Sequence, residues 1–165
     1  PGGIIGFILD KYCEGLLTNP LVIGLALIIM GIILYFVDKK AKNNAEYSEM
    51  NLKQTFLIGF SQALAFIPGV SRSGITMTTG RLLGIKREAV AKYSFMLSAP
   101  IVLAATIFKL GDFVFNWAFI AGVISSFLVG LIVIKFLLNY LKKGDFKWFA
   151  IYRIIFGLII LIFLV

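Results

Sequence analysis

Residues 21–37 read LVIGLALIIMGIILYFV, 17 apolar or small residues without a charge. Wound as a helix at about 1.5 Å per residue, this run just spans the roughly 30 Å hydrocarbon core of a bilayer. In lipid every backbone N–H and C=O needs an internal partner, which restricts such a run to a helix. Hydrophobic residues make up 60% of the 165-residue chain, against about 45–50% in soluble domains. The run is therefore one of several, and the fold class expected is all-α: a polytopic transmembrane helix bundle in a single membrane domain.

Further spans are expected at residues 88–109, with Pro100 inside and a kink there, at 117–140 and at 148–165. Trp148 and Tyr152 suit the headgroup level at the start of the last span. Residues 1–16 read as the end of a helix leaving the bilayer at Asp10, Lys11 and Glu14, so the chain reads as a fragment beginning inside a membrane helix. Those residues have no charged n-region or small-residue cleavage site, so they do not read as a signal peptide. Residues 38–53, DKKAKNNAEYSEMNLK, read as an aqueous loop.

The formal net charge is +8. In a soluble chain that balance points to nucleic acid. Here the cations lie between apolar runs, so they read as topology determinants and anionic-lipid contacts, and no nucleic-acid partner is expected. With no histidine, the chain has no imidazole for acid–base work or metal binding. The single Cys13 reads as inert, and no methionine shows metal-site spacing.

Residues 54–83 are the ambiguous stretch, and the distribution of Lys and Arg decides between two readings. As one span, they divide thirteen shallow cations 5 against 8; as a re-entrant hairpin, they divide them 11 against 2, leaving only Lys11 and Lys109 on the far side. The asymmetric division predicts a helix–loop–helix entering from the cytoplasmic face, with residues 38–53 as a cytoplasmic loop and the C-terminus outside. The half-helices, 14 residues at 54–67 and 9 at 75–83, are each too short to cross.

The hairpin's centre is FIPGVSRSGI, residues 66–75. Non-helical backbone at membrane depth is tolerated only where it is buried in protein or lines a wet cavity. Pro68-Gly69 ends the first half-helix, Gly74 frees the entry to the second, and Ser71 or Ser73 can cap it. A helix N-terminus presents unpaired N–H groups and a positive dipole end. Arg72 adds a planar fork of donors, and Ser71, Ser73 and Thr76 add hydroxyls. The combination describes an anion site, most naturally for phosphate. The alternative is an arginine that snorkels or pairs with an acid. All eight acids fall in loops or at span ends, which leaves no evident buried partner.

QALAFIPGVSRSGITMTTGRLLGIKREAVAKYSFMLSAPIVLAA resembles the second signature region of the undecaprenyl-diphosphatase family of bacitracin-resistance membrane proteins. The P-G-x-S-R-S-G-x-T core is complete from Pro68 to Thr76, and YSFMLSAP at 93–100 and FAIYRIIFG at 149–157 are similar too. The resemblance implies the second half of an inverted-repeat fold, each half with a re-entrant hairpin. It implies hydrolysis of undecaprenyl diphosphate to undecaprenyl phosphate in the bacterial plasma (inner) membrane, returning the lipid carrier to cell-wall synthesis. On this reading Ser71, Arg72 and Ser73 take catalytic roles, and Gly69, Ser71, Arg72, Ser73, Gly74 and Thr76 bind the polyprenyl diphosphate. The family's first signature, rich in Glu and carrying a His, is absent from this sequence. A divalent metal, Mg or Ca, is implied with its ligands outside this chain. The chain alone is expected to be inactive. A polyprenyl-phosphate transporter or flippase using the same anion site is the alternative, and a membrane scaffold with a structural arginine is a third.

Gly122, Ser126 and Gly130 recur every four residues and permit close helix contact, within the bundle or, second, in a homodimer. Lys135 reads as snorkelling, and Arg153 as either snorkelling or bridging to a loop carbonyl or lipid phosphate. Arg81, Lys86 and Arg87 read as cytoplasmic topology residues, and Met77 as packing beneath the motif.

Overall fold

The computed structural model describes residues 19–42, 45–109, 111, 113 and 115–164. The expected helix end over residues 1–16, with Cys13, lies outside the described residues. Six α-helices follow in order: α1 Pro20–Lys40, α2 Leu52–Ser61, α3 Arg72–Leu82, α4 Arg87–Phe108, α5 Trp117–Lys143 and α6 Lys147–Phe163. Short 3-10 turns occupy Tyr47–Glu49 and Gln62–Phe66. Among the described residues there is no named strand, only an isolated bridge between Ala45 and Ile85. The protein is an all-α membrane bundle: α1, α4 and α5, with 21, 22 and 27 residues, are each long and apolar enough to cross a membrane.

Helix starts follow their caps. The Asn19 side chain accepts from Leu21 N–H with Pro20 at the first helical position, and the Asn116 side chain accepts from Phe119 N–H. At α2, Asn51 and Gln54 form a reciprocal capping box, which starts the helix two residues ahead of the expected position 54. Pro100 sits inside α4 without ending it.

The α1–α6 pair is the closest in the bundle. A Cβ at Gly24 would meet Leu161, and one at Gly157 would meet Ile28 and the Gly24 carbonyl. Small residues let the two backbones approach, which is how helices associate where lipid offers no hydrophobic drive. α2 and α3 fold against each other, and α3 also packs on α1 and α4. The main apolar core includes Leu34, Ile58, Met77, Ile85, Val90, Leu141 and Phe146. It gathers where the end of α1, the hairpin and the start of α4 meet the α5–α6 corner.

Two expectations need correction. The aqueous loop does not begin at 38: α1 continues to Lys40, and Asp38 is only 4% exposed. Its carboxylate accepts from Arg81 Nε at 2.7 Å, from Arg87 Nε at 2.8 and 3.0 Å, and from Phe146 N–H at 3.1 Å. Arg81 is fully buried and also donates to the carbonyls of Ile85, Asp38 and Ala41. A buried acid partner therefore exists, and Arg81 and Arg87 hold helix ends together instead of acting only as topology residues. The second correction concerns α5. A Cβ at Gly122 or Gly130 would meet no described residue, and Leu141 alone is buried along that helix. The small-residue stripe does not pack inside the bundle among the described residues.

Candidate functional site

The site is the tip of the α2–α3 hairpin. α2 tightens into the 3-10 turn Gln62–Phe66, and the chain then closes two successive turns, Ile67 N–H to the Leu64 carbonyl at 3.2 Å and Val70 N–H to the Ile67 carbonyl at 3.1 Å. Gly69 takes φ +91, where a side chain is strained and where a Cβ would also collide with the Ile23 carbonyl of α1. Ser71 follows at φ 64, ψ 119 and is the one non-glycine residue with positive φ among the described residues. That conformation costs on the order of 1–3 kcal/mol and persists only where the surroundings impose it.

Ser71, and not Ser73, caps α3: its Oγ accepts from Gly74 N–H at 3.3 Å, and its carbonyl accepts from Ile75 N–H at 2.9 Å. The N–H groups of Arg72 and Ser73 have no partner among the described residues, as expected of a helix's first turn. Ser71 is exposed, and Arg72 and Ser73 are half-buried. No described residue pairs with the Arg72 guanidinium. Free backbone donors, the Ser73 hydroxyl and the Arg72 guanidinium, none with a partner among the described residues, thus share one helical turn beside the positive end of the α3 dipole.

Thr76 is placed differently. It is 1% exposed; its hydroxyl lies 2.8 Å from the Ser94 hydroxyl of α4 and 3.0 Å from the Arg72 carbonyl. It ties the first turn of α3 to α4 and is buried there. Thr78 Oγ1 donates to the Gly74 carbonyl at 2.7 Å, which further fixes that turn.

Arg153 of α6 also reaches the tip. Its Nη2 donates to the carbonyls of Gly69 and Val70, each at 2.7 Å. The bridge to a loop carbonyl is therefore the arrangement adopted, and Arg153 does not snorkel. It was legible in one respect: Ala150, Arg153 and Gly157 lie on one face of α6, the buried one. An arginine in register with small residues faces the seam, not the lipid.

The described residues hold no group of three or more Cys, Asp or Glu able to ligate a metal. The tip itself offers cations, hydroxyls and N–H donors, which do not fit a metal and do fit an anion.

The sequence profile of the family described as bacitracin resistance protein BacA matches residues 1–159. The chain belongs to this family. Among curated relatives, the undecaprenyl-diphosphatase of Pelotomaculum thermopropionicum is 48% identical over 165 residues, covering 98% of this chain and 62% of its own length. That of Moorella thermoacetica is 44% identical over 163 residues, covering 97% and 62%. That of Aquifex aeolicus is 44% identical over 169 residues, covering 96% and 66%. The chain thus spans 62% of the length of the first two of these relatives.

Proposed function

We propose that this chain supplies the anion-binding half of an undecaprenyl diphosphatase of the bacterial plasma membrane, which renews the lipid carrier for cell-wall synthesis and thereby confers bacitracin resistance. The observation that carries this reading is the unpaired Arg72 guanidinium beside the open first turn of α3. Water attacks the terminal phosphorus, the bond to the bridging oxygen breaks, and undecaprenyl phosphate and inorganic phosphate leave. Arg72 and the N–H groups of Arg72 and Ser73 take up charge developing on the phosphoryl oxygens, where preorganised donors act most strongly. Ser71 and Ser73 hold the diphosphate, and Gly69 and Gly74 permit the turn that presents it. Thr76 serves the site by fixing the α3 turn against α4.

No described carboxylate bonds to the tip, so the general base is to be sought elsewhere in the protein. A divalent cation on the diphosphate would likewise take its ligands from outside these residues. On this reading residues 1–165 alone do not turn over. The hairpin opens from the cytoplasmic face, and a Lys86→Cys reporter in a Cys13→Ser background is labelled from that side.

A polyprenyl-phosphate transporter is the second reading, supported by unpaired donors at the tip with no described carboxylate bonded to them. The deciding experiment measures phosphate release from undecaprenyl diphosphate by the full-length protein, its Arg72→Ala variant and the 165-residue chain. Release by the full-length protein alone supports hydrolysis. Near-normal release by Arg72→Ala overturns the role of Arg72. Translocation of a labelled polyprenyl phosphate without phosphate release supports the transporter.

A further inference from the structure

Arg153 is a buried cation with no counter-ion among the described residues. It is 6% exposed, and the described ion pairs involve Arg81, Lys86, Arg87 and Lys142 instead. Its Nη2 is satisfied by the carbonyls of Gly69 and Val70, whereas its Nε is buried without a partner. Its Nη1 rests against Gly74, close enough that any side chain at that position would strike it. Neutral carbonyls satisfy hydrogen bonds, but they do not cancel a full charge held away from water. A charge so placed marks a functional partner.

The position of this cation is specific. Gly74 is the third residue of α3, so Arg153 sits against the same helical turn that carries Arg72 and the open N–H groups. Arg153 and the positive end of the α3 dipole therefore meet at the turn that carries Arg72, and no described acid pairs with either arginine. Holding such a charge away from water without a counter-ion is unfavourable. One phosphate leaves part of that charge uncompensated, whereas a diphosphate, with its higher charge, matches it better.

We infer that Arg153 is a positioning and specificity-determining residue: it holds the Gly69–Val70 turn from behind and supplies the second positive charge that makes the tip prefer a diphosphate to a monophosphate. The inference rests on reading the hairpin tip as a diphosphate site. It assigns to α6, outside the signature motif, the discrimination between substrate and the monophosphate products that must leave.

The test titrates the full-length protein with inorganic pyrophosphate and with inorganic phosphate, following calorimetric affinity and melting temperature. The wild type is expected to prefer pyrophosphate. Arg153→Met is expected to lose about tenfold or more in pyrophosphate affinity while phosphate affinity changes less than about threefold, since only the former needs the second charge. Arg153→Lys keeps the charge but cannot bridge two carbonyls while lying on Gly74; it is expected to keep most of the preference and to lose kcat. Gly74→Ala displaces Nη1 without deleting the charge and is expected to weaken pyrophosphate selectively.

An Arg153→Met protein that melts normally and keeps the wild-type ratio of affinities overturns the inference. If that variant does not fold, Gly74→Ala decides, and an unchanged ratio there overturns it equally. A wild type that binds neither anion also overturns it. Failure of hydrolysis is read separately: an inactive protein whose ratio falls in Arg153→Met retains this inference and loses the diphosphatase reading. An active protein whose ratio does not fall does the reverse.

Discussion

The two ends of the α3 region both use arginine, and they use it in opposite ways. At the base, Arg81 and Arg87 converge on one carboxylate, Asp38, and Arg81 Nη1 and Nη2 and Arg87 Nη2 also donate to backbone carbonyls. At the tip, Arg72 has no described partner and Arg153 has only carbonyls. The base is a closed set of charges that fixes the ends of α1, α3, α4 and α6. The tip is left electrostatically open. Partner chemistry, and not residue type or burial, separates a structural arginine from one awaiting a ligand.

Substitutions can break this contrast. The largest expected effect is at the base. Asp38→Ala strands two arginines, one of them fully buried, and is expected to cost about 3–5 kcal/mol of stability. Chemical denaturation in detergent measures this, and turnover per folded molecule should stay near wild type. A stable Asp38→Ala protein would remove the structural half of the contrast.

Arg72→Ala should do the reverse. Loss of a charge-stabilising donor is expected to lower turnover of the full-length protein about 10²- to 10³-fold, with little change in melting. Arg72→Lys sharpens this: if the planar fork matters, lysine recovers only a small part of the loss. Next comes Thr76→Val, which leaves the Ser94 hydroxyl short of one buried partner. It is expected to cost about 1–2 kcal/mol in denaturant titration.

The smallest effect lies outside the membrane helices. Lys86 holds the Glu46 carboxyl below its usual range, and Glu46 in turn raises Lys86. A depressed carboxyl contributes stability above its unfolded pKa and loses it as pH falls through the folded one. Both side chains are well exposed, so solvent screens the pair. Glu46→Gln is expected to lower the melting temperature at neutral pH only slightly, to leave it unchanged in acid, and so to flatten a slight acid-side decline.

Much of the tip was legible because local chemistry dictates it. Pro68 and Gly69 break a helix wherever they fall, and a serine followed by open N–H groups caps one. Which serine caps was not legible, since Ser71 and Ser73 are chemically alike, and only the φ of the chain entering α3 selects Ser71. The contact of Thr76 with Ser94 was not legible, because spacing alone does not say which face of α3 meets α4. Asp38 was missed because an acid one residue past an apolar run resembles the start of any loop. A signal was present nonetheless. Gly24, Gly31 and Asp38 recur every seven residues and share the buried face of α1. Following that stripe past the end of the hydrophobic run would have placed the acid inside.

Ser71 gives the tip a history as well as a shape. Glycine would occupy φ 64 with less strain, so selection for stability alone would have put glycine there. Serine in its place caps α3 with its hydroxyl while its neighbours' N–H groups stay free. A lineage that no longer needed the tip to hold anything would drift to glycine at this position and become more robust by doing so. The residue at position 71 therefore works as a marker of use: among related chains, serine in that strained turn signals a site still under demand.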